Sequence, residues 1–287
     1  ALGRLGEPVK FLSGLSSDLF GDILRAELDR SGVDSGPAAV SDRPTTLAFV
    51  TLTDGHASYA FYDENTAGRM LAADDLPVTD ADALFFGGIS LVVEPCGAAY
   101  EALMLREAGA RVTMIDPNIR PGFITDELTY RARLDRMLAA ADIVKTSDED
   151  LAWIGADAAA LLDGATQVVL LTRGSAGVTV LTRDGSVDVP AEKATVVDTV
   201  GAGDTFSAGV LARMQDTPMT FSVQDRLEGG MVFGIGWSGA ANGGGVSGNA
   251  TWIDKGLERK ESLTASEGFS RTLAGAAFQV LTESIGR

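Results

Sequence analysis

Near residue 200 the chain reads Asp198-Thr199-Val200-Gly201-Ala202-Gly203-Asp204-Thr205-Phe206, three small residues ending in a carboxylate where an apolar helical pattern of Phe206, Gly209, Val210 and Met214 begins. Backbone N–H groups at a turn that opens a helix have no intrahelical partner and point the same way, so they can hold an anion. An aspartate on the first turn, Asp204, is placed to take a proton beside that anion. The chemistry this suits is phosphoryl transfer to a hydroxyl, where positioning and charge stabilisation carry most of the catalysis. A bare Gly-x-Gly-Asp also fits a plain capped helix, since Asp is favoured at helix starts. The dinucleotide fingerprint would need a third glycine where Phe206 stands, and a P-loop would need Gly-Lys-Ser/Thr, which this segment lacks.

The elements that must position this turn show in the hydrophobic pattern. Ala83 to Gly87, Arg111 to Asp116, Ile143 to Lys145 and Val168 to Thr172 read as strands, and Glu94 to Ala108 and Leu128 to Ala141 as helices. Gly177 to Leu181 reads as a further strand pairing nearby. Alternation of this kind predicts an α/β fold with a mostly parallel central sheet covered by helices on both faces. Ligands in such folds bind at the carboxyl ends of the strands, where Asp116, Lys145, Thr172 and the Gly201 turn fall. Earlier, Val9 to Leu12 reads as a strand and Ile23, Leu24 and Leu28 as one helix face. Thr45 to Leu52 and Ser58 to Tyr62, joined through Asp54-Gly55-His56, read as a hairpin with His56 at its solvated tip.

Composition narrows the chemistry. The 287 residues carry a formal charge of −17, which argues against nucleic acid or an anionic membrane as partner. No apolar run approaches the roughly 20 residues of a membrane span and the start lacks a signal-peptide pattern, so a soluble, cytoplasmic protein is expected. One cysteine, Cys96, and one histidine, His56, leave no intramolecular disulfide and no Cys/His zinc site. Cys96 is expected to be a buried small residue. Carboxylates are the plausible general bases.

With its neighbours included, the segment Asp198 to Phe206 resembles the C-terminal signature of the ribokinase-like (PfkB) carbohydrate kinases. Gly14-Leu-Ser-Ser-Asp18-Leu-Phe-Gly21, followed by a helix and Gly32-Val33, resembles the family's N-terminal signature, with Ser16 at the place of its usual first glycine. The resemblance implies one ribokinase-like kinase domain over residues 1–287, a three-layer sandwich with a small β-sheet lid from about 45–62. It implies ATP and Mg²⁺, and it leaves room for a homodimer through the lid. Asp204 becomes the base, the N–H groups of Gly201, Ala202, Gly203 and Asp204 an anion hole, and Arg120 of Asp116-Pro117-Asn118-Ile119-Arg120 an added positive charge.

Other positions follow by the same resemblance. Phe61, Asp63, Asn65, Arg69 and Asn118 match the sugar-binding segments of bacterial fructokinases. Lys145, Thr172, Gly174, Gly177, Thr199 and Asn242 fall where the nucleotide lies. Ser147 and Asp150 occupy the family's Asn-x-x-Glu, so Asp150 organises Mg²⁺ through water. The plainer readings stay beside these: solvated loop residues, an acidic helix start, and a tight hairpin at Thr172 to Gly177.

The match covers residues 1 to about 215. The family's first strand, with its sugar-binding Asp, and its Gly-Gly turn do not precede Ala1, and residues 219–287 match poorly, with glycines at 229, 230, 234, 236, 239 and 243–245 that make a poor helix. Phe269 to Ile285 has the pattern of a final helix. The expected activity is ATP-dependent phosphorylation of fructose, with 2-keto-3-deoxygluconate or another sugar as the alternative substrate. A sugar-binding or regulatory protein on an inactive kinase scaffold is the alternative from another class.

Overall fold

The computed structural model describes residues 1–53, 56–191, 201–215, 232–241 and 244–253. Two compact units make up the chain, one of residues 8–166 and the other of residues 1–7 with 167–287.

The 8–166 unit begins with short paired strands. β1 (Val9–Lys10) runs parallel to β3 (Val33–Asp34), and β2 (Gly14–Ser16) parallel to β4 (Ala39–Ser41), with helix α1 (Leu19–Arg30) between. Helix α1 starts where it does because Asp18 caps it, accepting from Gly21 N at 2.8 Å. The same carboxylate accepts Thr45 N at 2.9 Å and Thr45 Oγ1 at 2.6 Å, so one side chain closes a helix end and ties down the strand segment that follows. These bonds favour the charged form and hold the Asp18 carboxyl well below the usual carboxylate range. Strands β5 (Leu47–Thr53) and β6 (His56–Tyr62) form the expected hairpin. His56 is not at its tip: it opens β6, paired with Thr53, and positions 54 and 55 lie outside the described residues.

The α/β part of this unit is β7 (Ala83–Gly87), α2 (Cys96–Glu107), β8 (Val112–Asp116), α3 (Glu127–Ala140), β9 (Ile143–Ser147) and α4 (Asp148–Ile154). The three strands are parallel in the order β7, β8, β9, with Phe86 opposite Ile115 and Ile115 opposite Val144. Buried parallel strands are apolar on both faces, and Met114, Ile115, Ile143 and Val144 are all fully buried. Each such side chain contributes roughly 1.5–3 kcal/mol by leaving water. Helix α2 buries Cys96, Ala99, Tyr100, Leu103 and Met104, a 3.6-residue stripe, and packs against α3, which buries Tyr130, Leu134, Met137 and Leu138. α2 starts two residues later than the sequence pattern suggested, at Cys96.

In the other unit, β10 (Val168–Thr172), β11 (Val178–Thr182) and β12 (Gly185–Val189) form an antiparallel meander, with Leu170 opposite Val180 and Val180 opposite Val187. Helix α5 (Ala202–Gln215) buries Phe206, Ser207, Val210 and Met214 and packs on the short 3-10 turn Leu2–Leu5, which ends at Gly6 with φ of 95°. The glycine-rich stretch contributes two paired strands, β13 (Val232–Ala241) and β14 (Gly244–Ile253), rather than a helix. The helix expected over 269–285 lies outside the described residues. No helix among the described residues is long and apolar enough to cross a membrane.

Candidate active site

The Gly201 turn has the geometry its sequence implies. Gly201 adopts φ of 75°, a left-handed conformation that costs a side-chain-bearing residue but not glycine. Its carbonyl accepts the first intrahelical bond, from Thr205 N at 2.8 Å, so Ala202, Gly203 and Asp204 form the first turn of α5. Their N–H groups have no acceptor within the helix, and the helix dipole adds positive potential there. Asp204 is exposed on that turn, while Phe206, Ser207 and Val210 behind it are buried and fix the helix end in place. An exposed carboxylate beside a row of unsatisfied donors can accept a proton from a hydroxyl while the donors hold an anionic group. Thr199 lies outside the described residues.

In the same unit the β10–β11 turn holds Thr172, Gly174 and Gly177. Arg173 N donates to Gly177 O at 2.8 Å, closing a tight hairpin as expected. Gly174 has φ of 51° with open space where a Cβ would project. Gly177 is glycine for packing: at φ of 93° a Cβ would lie 2.0 Å from Val189 O of β12. Thr172 is half-buried at the end of β10. Asn242 lies between β13 and β14, outside the described residues.

The 8–166 unit carries the rest of the expected residues in two clusters. The first joins the end of β8 to the start of α4. Lys145 Nζ donates to Asp116 Oδ2 at 2.8 Å, and both side chains are buried. Asp150, 4% exposed, accepts Ile119 N on Oδ1 at 2.8 Å and Ser147 N on Oδ2 at 3.2 Å, while Ser147 Oγ accepts Asp150 N at 3.0 Å. This capping box starts α4 and pins the loop of residues 117–120 to it. Within that loop Asn118 takes φ of 43° and Arg120 is exposed, its Nη1 donating to Ile119 O at 2.9 Å. Lys145, expected along the nucleotide, is buried in an ion pair with Asp116, which gives each buried charge a partner.

The second cluster is the segment after β6. Asp63 Oδ1 accepts from Arg69 Nη1 at 3.3 Å, and Arg69 Nε donates to Glu94 O at 3.2 Å. Asn65 sits at φ of 56°, and its Oδ1 accepts from Arg43 Nη1. Phe61 is paired with Ala48 through the β5–β6 ladder, its side chain outside the described residues. Two participants escaped the sequence reading. Glu94 and Arg133 brace Arg69 from behind, and the available signal was an arginine interrupting the apolar stripe Tyr130, Leu134, Met137 of α3.

Cys96 is buried as expected, its thiol against Ser90 O and Val93 O, and burial with the nearby Glu94 charge pushes it up to about 11. No group of three or more His, Cys, Asp or Glu arranged to hold a metal occurs among the described residues.

Parallel strands joined by helices, with Asp204 and its row of N–H groups that have no intrahelical acceptor at the start of a helix, define an α/β phosphotransferase of the ribokinase-like class. Solved structures carry the same fold: a fructokinase with bound ATP from Xylella fastidiosa superposes with a TM-score of 0.70 at 29% identity, covering 75% of this chain and 71% of that one. The profile of the pfkB family carbohydrate kinases matches residues 1–221, and the chain belongs to that family. A fructokinase of Rhizobium leguminosarum bv. trifolii is 53% identical over 75% of this chain and 68% of its own length. One from Salmonella typhimurium is 34% identical over 74% and 73%. The protein is a carbohydrate kinase.

Proposed function

We propose that the protein transfers the γ-phosphoryl group of ATP to a hydroxyl of fructose, with Asp204 as general base. The observation that carries this is the start of α5, where the exposed Asp204 shares one helical turn with the N–H groups of Ala202 and Gly203, which have no intrahelical acceptor, behind the left-handed Gly201. The base removes the hydroxyl proton as the oxygen attacks, and the N–H groups stabilise the charge on the transferring phosphoryl group. Arg120, exposed and held by no carboxylate among the described residues, supplies a further positive charge. Thr172 and Gly174, at the end of β10 and in the turn after it, lie along the nucleotide, and Asp63, Asn65, Arg69 and Asn118 bind the sugar.

Mg²⁺ bound with ATP would neutralise phosphate charge. Asp150 fits an outer role toward it through water: each carboxylate oxygen has one bond to a backbone N–H and retains a lone pair. Between sugars, the ion pair of Asp63 with Arg69 favours a neutral substrate. The acid alternative, 2-keto-3-deoxygluconate, would require Arg69 to leave Asp63 for the substrate carboxylate. A homodimer through β5 and β6, in the cytoplasm, completes the reading; exposed Phe49 and Tyr62, stacked edge to face at 5.5 Å, support the dimer.

The test is ADP formation from Mg-ATP with fructose, 2-keto-3-deoxygluconate and ribose, run in parallel on the protein and on Asp204→Asn. Turnover on fructose that falls by about 10²-fold or more in the variant is expected. Near-normal turnover in Asp204→Asn removes Asp204 as base, and faster phosphorylation of the acid sugar removes fructose as substrate.

A further inference from the structure

Arg133 is a cation in the core with a side chain only 3% exposed, outside the segments Gly14–Gly21 and Asp198–Phe206. Two of its contacts run toward one place. Nη1 donates to Leu91 O at 2.7 Å, Nη2 donates to Glu94 Oε1, and Nε faces Glu101 Oε2 at 3.5 Å. The guanidinium lies flat on Gly97, where a Cβ would come within 2.5 Å of Nη1 and 2.8 Å of Cζ. It thereby fixes the turn from Leu91 to Glu94.

That turn is the seat of Arg69. Glu94 O accepts from Arg69 Nε at 3.2 Å, and Cys96 N, two residues on, donates to Arg69 O at 3.2 Å. Arg69 in turn holds Asp63 at 3.3 Å. A continuous chain of charged and polar contacts therefore runs from the interior of α3 to the two side chains assigned to the sugar.

We infer that Arg133 is a positioning residue for sugar capture, setting Arg69 and Asp63 through Glu94 without touching substrate. A guanidinium fork that reaches two acceptors at once is not reproduced by an ammonium, so Arg133→Lys keeps the charge but loses the fork that fixes the turn. The effect falls on sugar affinity, because Arg69 and Asp63 are assigned to the substrate and not to the base or the phosphate. The inference rests on the proposed sugar role of Arg69.

The test is steady-state kinetics on the full chain with fructose and Mg-ATP for Arg69→Ala, Arg133→Lys and the double variant. Arg69→Ala is expected to raise KM for fructose by about tenfold or more, the loss of one charged hydrogen bond. Arg133→Lys is expected to raise the same KM by roughly fivefold, with KM for ATP and kcat within about twofold, and to add nothing in the Arg69→Ala background. An equal Arg133→Lys effect in both backgrounds, or a lowered melting temperature with unchanged KM for fructose, overturns the positioning role. An unchanged KM in Arg69→Ala alone overturns the sugar assignment and the inference with it. If Arg133→Lys does not fold, Glu94→Gln, which weakens the same contact from a half-exposed side chain, is read by the same criteria.

Discussion

Replacing Asp150 by alanine tests whether the box at the start of α4 holds the active-site loop. The substitution leaves Ile119 N–H, on a residue 5% exposed, without its acceptor at 2.8 Å, and takes the partner at 3.2 Å from Ser147 N. A buried donor left unsatisfied costs about 1–3 kcal/mol. Loss of half a capping box adds about 1 kcal/mol. The total of about 2–4 kcal/mol corresponds to a fall of roughly 3–7 °C in melting temperature for a chain of this size, measured by differential scanning calorimetry. Asp150→Asn retains one amide oxygen for Ile119 N but turns an NH₂ toward Ser147 N, so roughly half the loss is expected. Ile119 lies between Asn118 and Arg120, so turnover of the alanine variant should also fall well below the melting range. A melting temperature within about 1 °C of the parent would refute the reasoning, since an orphaned buried donor cannot be that cheap.

Three further outcomes follow from the geometry. Gly177→Ala, with φ of 93° and a Cβ 2.0 Å from Val189 O, should destabilise by about 2–4 kcal/mol in urea unfolding, whereas packing predicts no clash at Gly174. Asp18 has a folded pKa below its unfolded value of 3.8, so its contribution is present above pH 3.8 and is lost as pH falls further toward the folded pKa. The stability gap between parent and Asp18→Ala should therefore be constant near neutrality and narrow in acid, which unfolding curves at stepped pH will show. Cys96, buried and pushed up to about 11, should resist iodoacetamide at pH 8 in the native protein and react fully once unfolded; rapid native labelling would contradict its burial.

Local signals were the legible ones. Strand β10 spans Val168–Thr172 in both sequence pattern and structure because its five residues are β-branched or apolar and Gly164 and Gly174 bracket them. The Gly201 turn was readable because glycine, cap and helix stripe are contiguous. Asp150 illustrates the opposite case. Its acidic position suited a metal role, but its acceptor bond to Ile119 joins residues 31 apart, and no periodicity reports such a pairing. Arg133 and Glu94, 39 apart, were hidden for the same reason. The glycine-rich stretch read as a poor helix, and its backbone instead pairs as β13 and β14, a state that glycine also weakens but does not forbid.

The distribution of charge explains how a chain of net −17 handles an anionic substrate. In the 8–166 unit most cations are committed to carboxylates: Lys10 to Asp80, Arg111 to Glu107, Arg131 to Glu127, Arg136 to Glu101, Lys145 to Asp116 and Arg69 to Asp63. Arg43 and Arg120 are the exceptions among its described residues, and Arg43 is engaged by Asn65. Arg43 and Arg120 are therefore the guanidinium groups among the described residues of that unit with no carboxylate partner, and in the other unit the first turn of α5 presents N–H donors beside Asp204. Such resources are local and short-ranged, screened within about 8 Å at physiological ionic strength. Charge steering from the protein as a whole would repel ATP, so capture depends on these few donors and on the metal that the nucleotide carries. Arg120→Gln should accordingly lower turnover far more than an equal charge change at Arg30, which is exposed and already paired with Glu27; equal effects on kcat/KM for ATP would mean that only net charge matters.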